Sequence, residues 1–193
     1  VANIHHGSGR EFPSSYIQQA VARLGGVPPE RTIVELGSLR HALTHDPHVE
    51  LQEQCCLYGH STLHWARTGH RVVSVDHDGT ASAITREVCG GYNNVTVVTD
   101  DGLRFLQAFV GTIDLLYLDA WDVVPGTEFA ERHLEAFEAA QSKLGAGHMI
   151  LIDDTDIAEG GKGRLLVPKL IGLGYEQVTA GRQTLLCAPT GAR

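Results

Sequence analysis

The chain predicts an α/β fold in which a mostly parallel sheet carries helices on both faces and ends in an antiparallel hairpin. Three observations point there. Apolar runs without alternation, such as Thr32 to Leu36, Arg71 to Val75 and Ile113 to Leu118, read as strands buried on both sides of a parallel sheet. Segments of helical period separate these runs, which is βαβ alternation, and right-handed crossovers then place helices on both faces. Two of the runs stop abruptly in carboxylates, Ile113 to Asp122 and His148 to Asp156. Ligands of open α/β sheets sit beyond the carboxyl ends of the strands, so these acids mark a rim where a site is expected.

The elements follow in order. Ser14-Ser15 ahead of Tyr16, Ile17, Ala20, Val21 and Leu24 predicts a capped amphipathic helix, closed by Gly25-Gly26. Thr32 to Leu36 is the first strand, ending at Glu35-Leu-Gly37-Ser38. Leu39 to Tyr58 has no clear period, and so long a segment in a compact domain reads as an inserted lid or pocket wall. A helix starts near Gly59-His-Ser61-Thr62, with Ser61 or Thr62 as its cap, and Gly69 stops it. Arg71 to Val75 is the second strand, Gly79 to Val88 a helix, Val95 to Val98 the third strand, and Leu103 to Phe109 a further helix. The fourth and fifth strands are Ile113 to Leu118 and His148 to Ile152, joined by a crossover helix over Thr127 to Leu144. Gly160-Gly161-Lys162-Gly163 reads as a mobile loop near the rim, leading into a helix at Leu165 to Ile171 despite Pro168. Tyr175 to Thr179 and Gln183 to Ala188 form the terminal hairpin around Ala180-Gly181-Arg182.

With 193 residues, the chain suits one domain over 1–193, with an N-terminal arm and helix over 1–30 and the insertion over 39–58. A formal charge of -8 without clustered Lys and Arg argues against nucleic acid and anionic membrane as partners and favours a small molecule. No apolar stretch reaches bilayer length and no signal-peptide layout opens the chain, so a cytoplasmic location is expected. Cys55, Cys56, Cys89 and Cys187 lack paired spacing and read as reduced thiols. The histidines crowding His41, His45, His48, His60 and His64 lack a carboxylate or thiolate frame and read as solvated. Homo-oligomerisation is left open.

Asp119, Asp153 and Asp154 converge on the rim. Three gathered carboxylates repel one another unless a cation neutralises them, and an all-oxygen set selects a hard divalent ion such as Mg²⁺. On the other half of the rim, Gly37 lets backbone come close to a ligand and Asp76 suits the two hydroxyls of a ribose. Asp101, with the backbone N–H of Gly102 beside it, suits an adenine edge. A nicotinamide dinucleotide would call for G-x-G-x-x-G at this turn, and the chain reads Gly37-Ser-Leu-Arg-His instead.

Glu35-Leu-Gly37, Val75-Asp76-His-Asp78, Asp100-Asp101-Gly102, Leu118-Asp119-Ala-Trp121 and Ile152-Asp153-Asp154 resemble, in order and spacing, the motifs of class I S-adenosylmethionine-dependent methyltransferases. The last two look like those of the metal-dependent O-methyltransferases of the catechol and the macrolide- or aminocoumarin-sugar types. The resemblance spans about residues 32 to 188 and implies a Rossmann-like, seven-stranded fold. By position it implies that Glu35, Gly37 and Ser38 line the methionine part of the cofactor, Asp76 the ribose and Asp101 the adenine. Asp119, Asp153 and Asp154 would hold Mg²⁺, with Asp119 also beside the cofactor. The second half of the family's glycine loop is displaced across the insertion to Gly59, Ser61 and Thr62. There the backbone N–H groups of Ser61 and Thr62 could meet the cofactor carboxylate.

The implied reaction is an in-line displacement on a vicinal hydroxyl of a sugar or catechol-like acceptor, oriented and acidified by the metal. The catechol type places a Lys three residues beyond the first Asp ligand, where this chain has Asp122. Asp122 and Asp119 are the catalytic candidates, with His60, His64, His148 and Lys162 as alternative bases. Each acid also has a plain reading as a turn former or helix cap. Two other functions share these features: an aminopropyl transferase-like enzyme, and a non-catalytic nucleoside-binding or partner-docking domain.

Overall fold

The computed structural model describes residues 13–39 and 60–189, and residues 40–58 of the expected lid, Gly59 and the arm ahead of the first helix lie outside them. Seven strands form one sheet in the order β3-β2-β1-β4-β5-β7-β6. The strands are β1 Thr32–Leu36, β2 Arg71–Asp76, β3 Val95–Thr99, β4 Ile113–Leu118, β5 Leu144–Ile152, β6 Glu176–Gln177 and β7 Thr184–Cys187. The first five are parallel; β7 runs antiparallel to β5 and to β6. The helices are α1 Pro13–Leu24, α2 Ser61–Arg67, α3 Gly79–Val88, α4 Gly102–Ala108, α5 Phe129–Ala140 and α6 Leu166–Gly172.

Alternate residues of the central strands face two apolar layers, as a doubly covered sheet requires. Val34, Leu36, Leu116, Leu118, Ile150 and Ile152 pack with Leu106 of α4, Phe137 of α5 and Leu166 and Leu170 of α6. Ile33, Val72, Leu115, Tyr117, Met149 and Leu151 face the opposite way, onto Tyr16, Ile17, Ala20 and Leu24 of α1 and Trp65 of α2. Among the described residues, no helix is long and apolar enough to cross a membrane.

Several boundaries differ from the sequence expectation by a single residue, and four differences have a local cause. α1 begins at Pro13, so Ser14 and Ser15 lie in its first turn; a proline is tolerated there because its missing N–H has no helical partner. Ser61 is the first residue of α2 and His60 the cap, because the two hydroxyls turn to a buried partner instead. α5 stops at Ala140, and after a 3₁₀ turn at Gln141–Lys143 the chain enters β5 at Leu144. Gly145-Ala146-Gly147 falls in a register irregularity between the paired residues Leu144 and Met149 and has no apolar signature. The hairpin strands are shorter than expected, and β6 is an exposed two-residue edge paired only with β7.

Candidate functional site

The chain-order reversal between β1 and β4 opens the crevice where such sheets place ligands. Backbone bonds knit the rim beside it. Gly37 N–H donates to the Val75 carbonyl at 2.9 Å, Asp100 N–H to Asp76 at 3.0 Å, Asp119 N–H to Leu36 at 2.9 Å and Asp153 N–H to Leu118 at 3.1 Å. These four bonds put the acids that end β2, β4 and β5, and the one that follows β3, on one edge. Gly37 has φ +94°, and a Cβ there would lie 2.7 Å from the Asp119 carbonyl oxygen. Glycine is therefore demanded by the meeting of two strand ends, a role the sequence reading did not assign to it.

A cleft opens over the ends of β1, β2 and β3, lined by Leu36, Gly37, Val75, Asp76, His77, Asp101, Gly102, Ala120 and Trp121. Four residues expected at a cofactor, Gly37, Asp76, Asp101 and Gly102, meet in it. Asp76 accepts from Ser38 through N–H at 2.9 Å and Oγ at 3.0 Å on one oxygen, and from Asp78 N–H at 2.9 Å on the other. Its carboxylate is thus fixed while keeping lone pairs for a ligand. Asp101 does double service: it walls the cleft and caps α4, accepting from Arg104 N–H at 2.9 Å. Among the described residues the lining contains no Lys or Arg, which suits hydroxyls, an aromatic base and a cationic sulfonium better than phosphates. The donor set therefore fits S-adenosylmethionine. Trp121, at φ 49°, supplies the aromatic wall and stands edge-on to His133 at 5.3 Å between ring centroids.

Glu35, Ser61 and Thr62 come together away from that cleft. Glu35 points to the α1–α2 side of β1 and is fully buried. It accepts from Ser61 Oγ and Thr62 Oγ1 at 2.5 Å each, from Ser74 Oγ at 2.7 Å and from Trp65 Nε1 at 3.2 Å. Burial pushes its carboxyl up to about 7, against the pull of the three hydroxyl bonds. These side chains anchor α2 to β1 and turn the two hydroxyls and the Glu35 carboxylate to one another; the backbone N–H groups of Ser61 and Thr62, the atoms expected at the cofactor carboxylate, take no part in these bonds.

The other half of the rim is built differently. Asp119, Asp153 and Asp154 each offer an oxygen within 4.8 Å of the others. The ammonium of Lys162 reaches into the cluster, 2.6 Å from Asp119 Oδ1 and 3.1 Å from Asp154 Oδ2, and donates to the Asp119 carbonyl at 3.2 Å. Arg182 approaches from the hairpin, 2.5 Å from Asp154 Oδ1, while Gln183 Nε2 donates to Asp153 Oδ1 at 2.8 Å and to the Tyr117 hydroxyl at 2.9 Å. Burial and the neighbouring Asp119 and Asp154 hold the Asp153 carboxyl well above the usual range. Burial alone would lower the Lys162 pKa, but the three acids outweigh it and raise it. An all-oxygen set suits Mg²⁺ in kind, yet an ammonium stands where the ion would stand. The residues as placed do not fit the metal.

Lys162 is therefore buried and clamped, where the sequence suggested a mobile loop. Asp122 lies exposed after β4, outside the carboxylate cluster. His148 sits four residues before the end of β5, bonded to the Gly145 carbonyl and the Tyr175 hydroxyl, away from the rim. His60 caps α2 and His64 lies on it. Sequence reasoning did not single out His133, which is buried, donates from Nδ1 to the Phe129 carbonyl at 2.6 Å and is pushed down to about 4, chiefly by burial. Its helical stripe position gave no hint of the neighbouring Trp121.

No family model matches the chain, and no curated protein does. Solved structures do. An O-methyltransferase from Bacillus cereus, solved with SAH, is 18% identical, covers 94% of this chain and 84% of its own, and superposes with a TM-score of 0.58. The O-methyltransferase TomG from Streptomyces achromogenes, involved in tomaymycin synthesis and solved with SAM, is 17% identical over 91% of this chain and 78% of its own, at 0.56. A protein described as an rRNA methylase, from Clostridium thermocellum, is 14% identical over 92% of this chain and 96% of its own, at 0.63. Acceptors as unlike as these share one scaffold, so the fold does not name the acceptor. The fold of this chain is that of the class I S-adenosylmethionine-dependent methyltransferases.

Proposed function

We propose that the chain transfers a methyl group from S-adenosylmethionine to a hydroxyl of a small molecule. The observation that carries this reading is the cleft between Gly37, Asp76, Asp101, Gly102 and Trp121, an acidic and aromatic wall at the switch point of the sheet with no phosphate-binding cation among the described residues. When bound, the cofactor supplies a methyl on a cationic sulfur; the C–S bond breaks as the C–O bond forms, sulfur keeps the pair, and the hydroxyl proton leaves to a base or water. Asp76 would hold the ribose, Asp101 the adenine edge, and Gly37 and Ser38 the turn toward the methionine part. The small-molecule acceptor is favoured by the charge of -8, which repels a phosphate backbone. Cys89 and Cys187 are free thiols, which accords with a cytoplasmic location.

The expected Mg²⁺ requirement rests on the oxygen donor set alone, since the charge it was to balance is met by Lys162 and Arg182. Calorimetry with S-adenosylhomocysteine tests the reading, followed by transfer of a labelled methyl group to a panel of diol and catechol acceptors. Saturable binding weakened by Asp76→Ala is expected. Failure to bind sinks the reading, and preference for the decarboxylated cofactor would move the chain to the aminopropyl transferases.

A further inference from the structure

We propose that Lys162 takes the place of a divalent ion at the β4–β5 rim, so that the carboxylate cluster is closed from within and the protein works without a metal. The inference rests on the methyltransferase reading only where activity is concerned; the closing of the cluster stands on geometry.

Lys162 has three N–H donors and three acceptors around them: Asp119 Oδ1 at 2.6 Å, Asp154 Oδ2 at 3.1 Å and the Asp119 carbonyl at 3.2 Å. They come from the loop after β4 and the loop after β5, the two segments a bridging ion would join. The side chain is only 1% exposed, so this is no surface lysine resting on an acid. A Mg²⁺ ion needs oxygens about 2.0–2.1 Å away in near-octahedral array, and it cannot share that space with an ammonium.

The backbone delivers the lysine by design. Glu159, Gly160 and Gly161 all have positive φ within the 3₁₀ turn Ala158–Gly163. A Cβ on Gly161 would lie 1.8 Å from the Asp154 carbonyl oxygen, so only glycine lets the turn press against Asp154. That same carbonyl accepts the Lys162 N–H at 3.3 Å. Main chain and side chain of Lys162 thus grip the same residue. Arg182 adds a second cation at 2.5 Å from Asp154, and Thr155 Oγ1 donates to the Gly181 carbonyl at 2.6 Å, holding the hairpin that carries Arg182 against the loop. Lys162 here is a positioning residue: it fixes Asp119 beside the cleft wall formed by Ala120 and Trp121.

The test is Mn²⁺ binding to the full chain by electron paramagnetic resonance, with folding checked by circular dichroism. Wild type should show no saturable site, and Lys162→Ala should gain one that a second change, Asp153→Asn, removes. A wild-type site lost in Asp153→Asn overturns the proposal, as does a folded Lys162→Ala that stays blind to the ion. If Lys162→Ala does not fold, the wild-type titration alone decides. Methyl transfer, once an acceptor is found, should keep its full rate in EDTA, and a rate abolished by EDTA and restored by Mg²⁺ overturns the proposal. Loss of S-adenosylhomocysteine binding would instead count against the cofactor reading and leave the closed cluster standing.

Discussion

The two halves of the rim are made from the same residue type at equivalent strand ends, yet one is open and the other closed. Over β1 to β3, Asp76 and Asp101 are steadied by backbone N–H groups and one hydroxyl, bonds that fix a carboxylate without cancelling its charge. They keep facing a cleft. Over β4 and β5, Asp119, Asp153 and Asp154 are met by Lys162 and Arg182, which cancel most of their charge, and by Gln183, which donates a hydrogen bond to Asp153. An acid at a strand end is thus an invitation to a ligand only where the protein has not already answered it.

The largest expected effect strikes the closed half. Lys162→Met leaves buried acids without their cation and should cost about 3–5 kcal/mol in urea unfolding. A loss below about 1 kcal/mol would mean that this half is solvated like the other. Glu35 beneath the open half titrates with the opposite consequence from His133. Its native pKa of about 7 lies above the usual 4.5, so its contribution is fully present below 4.5 and fades as pH rises toward 7. His133, lowered from 6.5 to about 4, contributes stability above 6.5 that is lost as pH falls toward 4. Glu35→Gln should flatten the loss between pH 4.5 and 7, by at most about 3 kcal/mol in denaturant melts; an unchanged slope would refute the buried carboxyl.

Next in size, Asp76→Ala should weaken S-adenosylhomocysteine by about 1.5–3 kcal/mol for each charge-assisted bond lost, read by calorimetry. Equal affinity would move the ribose elsewhere. The smallest effect separates a site acid from a cap within the same half. Asp78 caps α3 by accepting from Thr80 N–H at 2.7 Å, so Asp78→Ala should cost about 1 kcal/mol of stability and leave cofactor affinity unchanged.

The parallel sheet was legible because burial on both faces leaves continuous apolar runs, and β1 and α3 match their expected limits residue for residue. The start of β5 was not, since Gly145-Ala146-Gly147 lies in the irregular stretch between the paired residues Leu144 and Met149 and carries no apolar signal. The rim acids were legible as strand terminators. Their fates were not, because what decides them is long-range: Lys162 arrives 43 residues after Asp119. Its only local sign was a glycine-rich turn that read as mobility. Ser61 and Thr62 were found as a pair, but their partner Glu35 lies on the α1–α2 face, a side that β1, buried at every position, does not reveal. Residues 40 to 58 of the expected lid lie outside the described residues.

One crystal would test the contrast between the two halves most directly. The chain would be grown with S-adenosylhomocysteine and MnCl₂, and diffraction recorded at the manganese edge. The nucleoside is expected beside Gly37, Asp76 and Asp101, with no anomalous peak between Asp119, Asp153 and Asp154 and with Lys162 in that place. An anomalous peak there with Lys162 displaced, or a nucleoside bound elsewhere, would contradict that contrast.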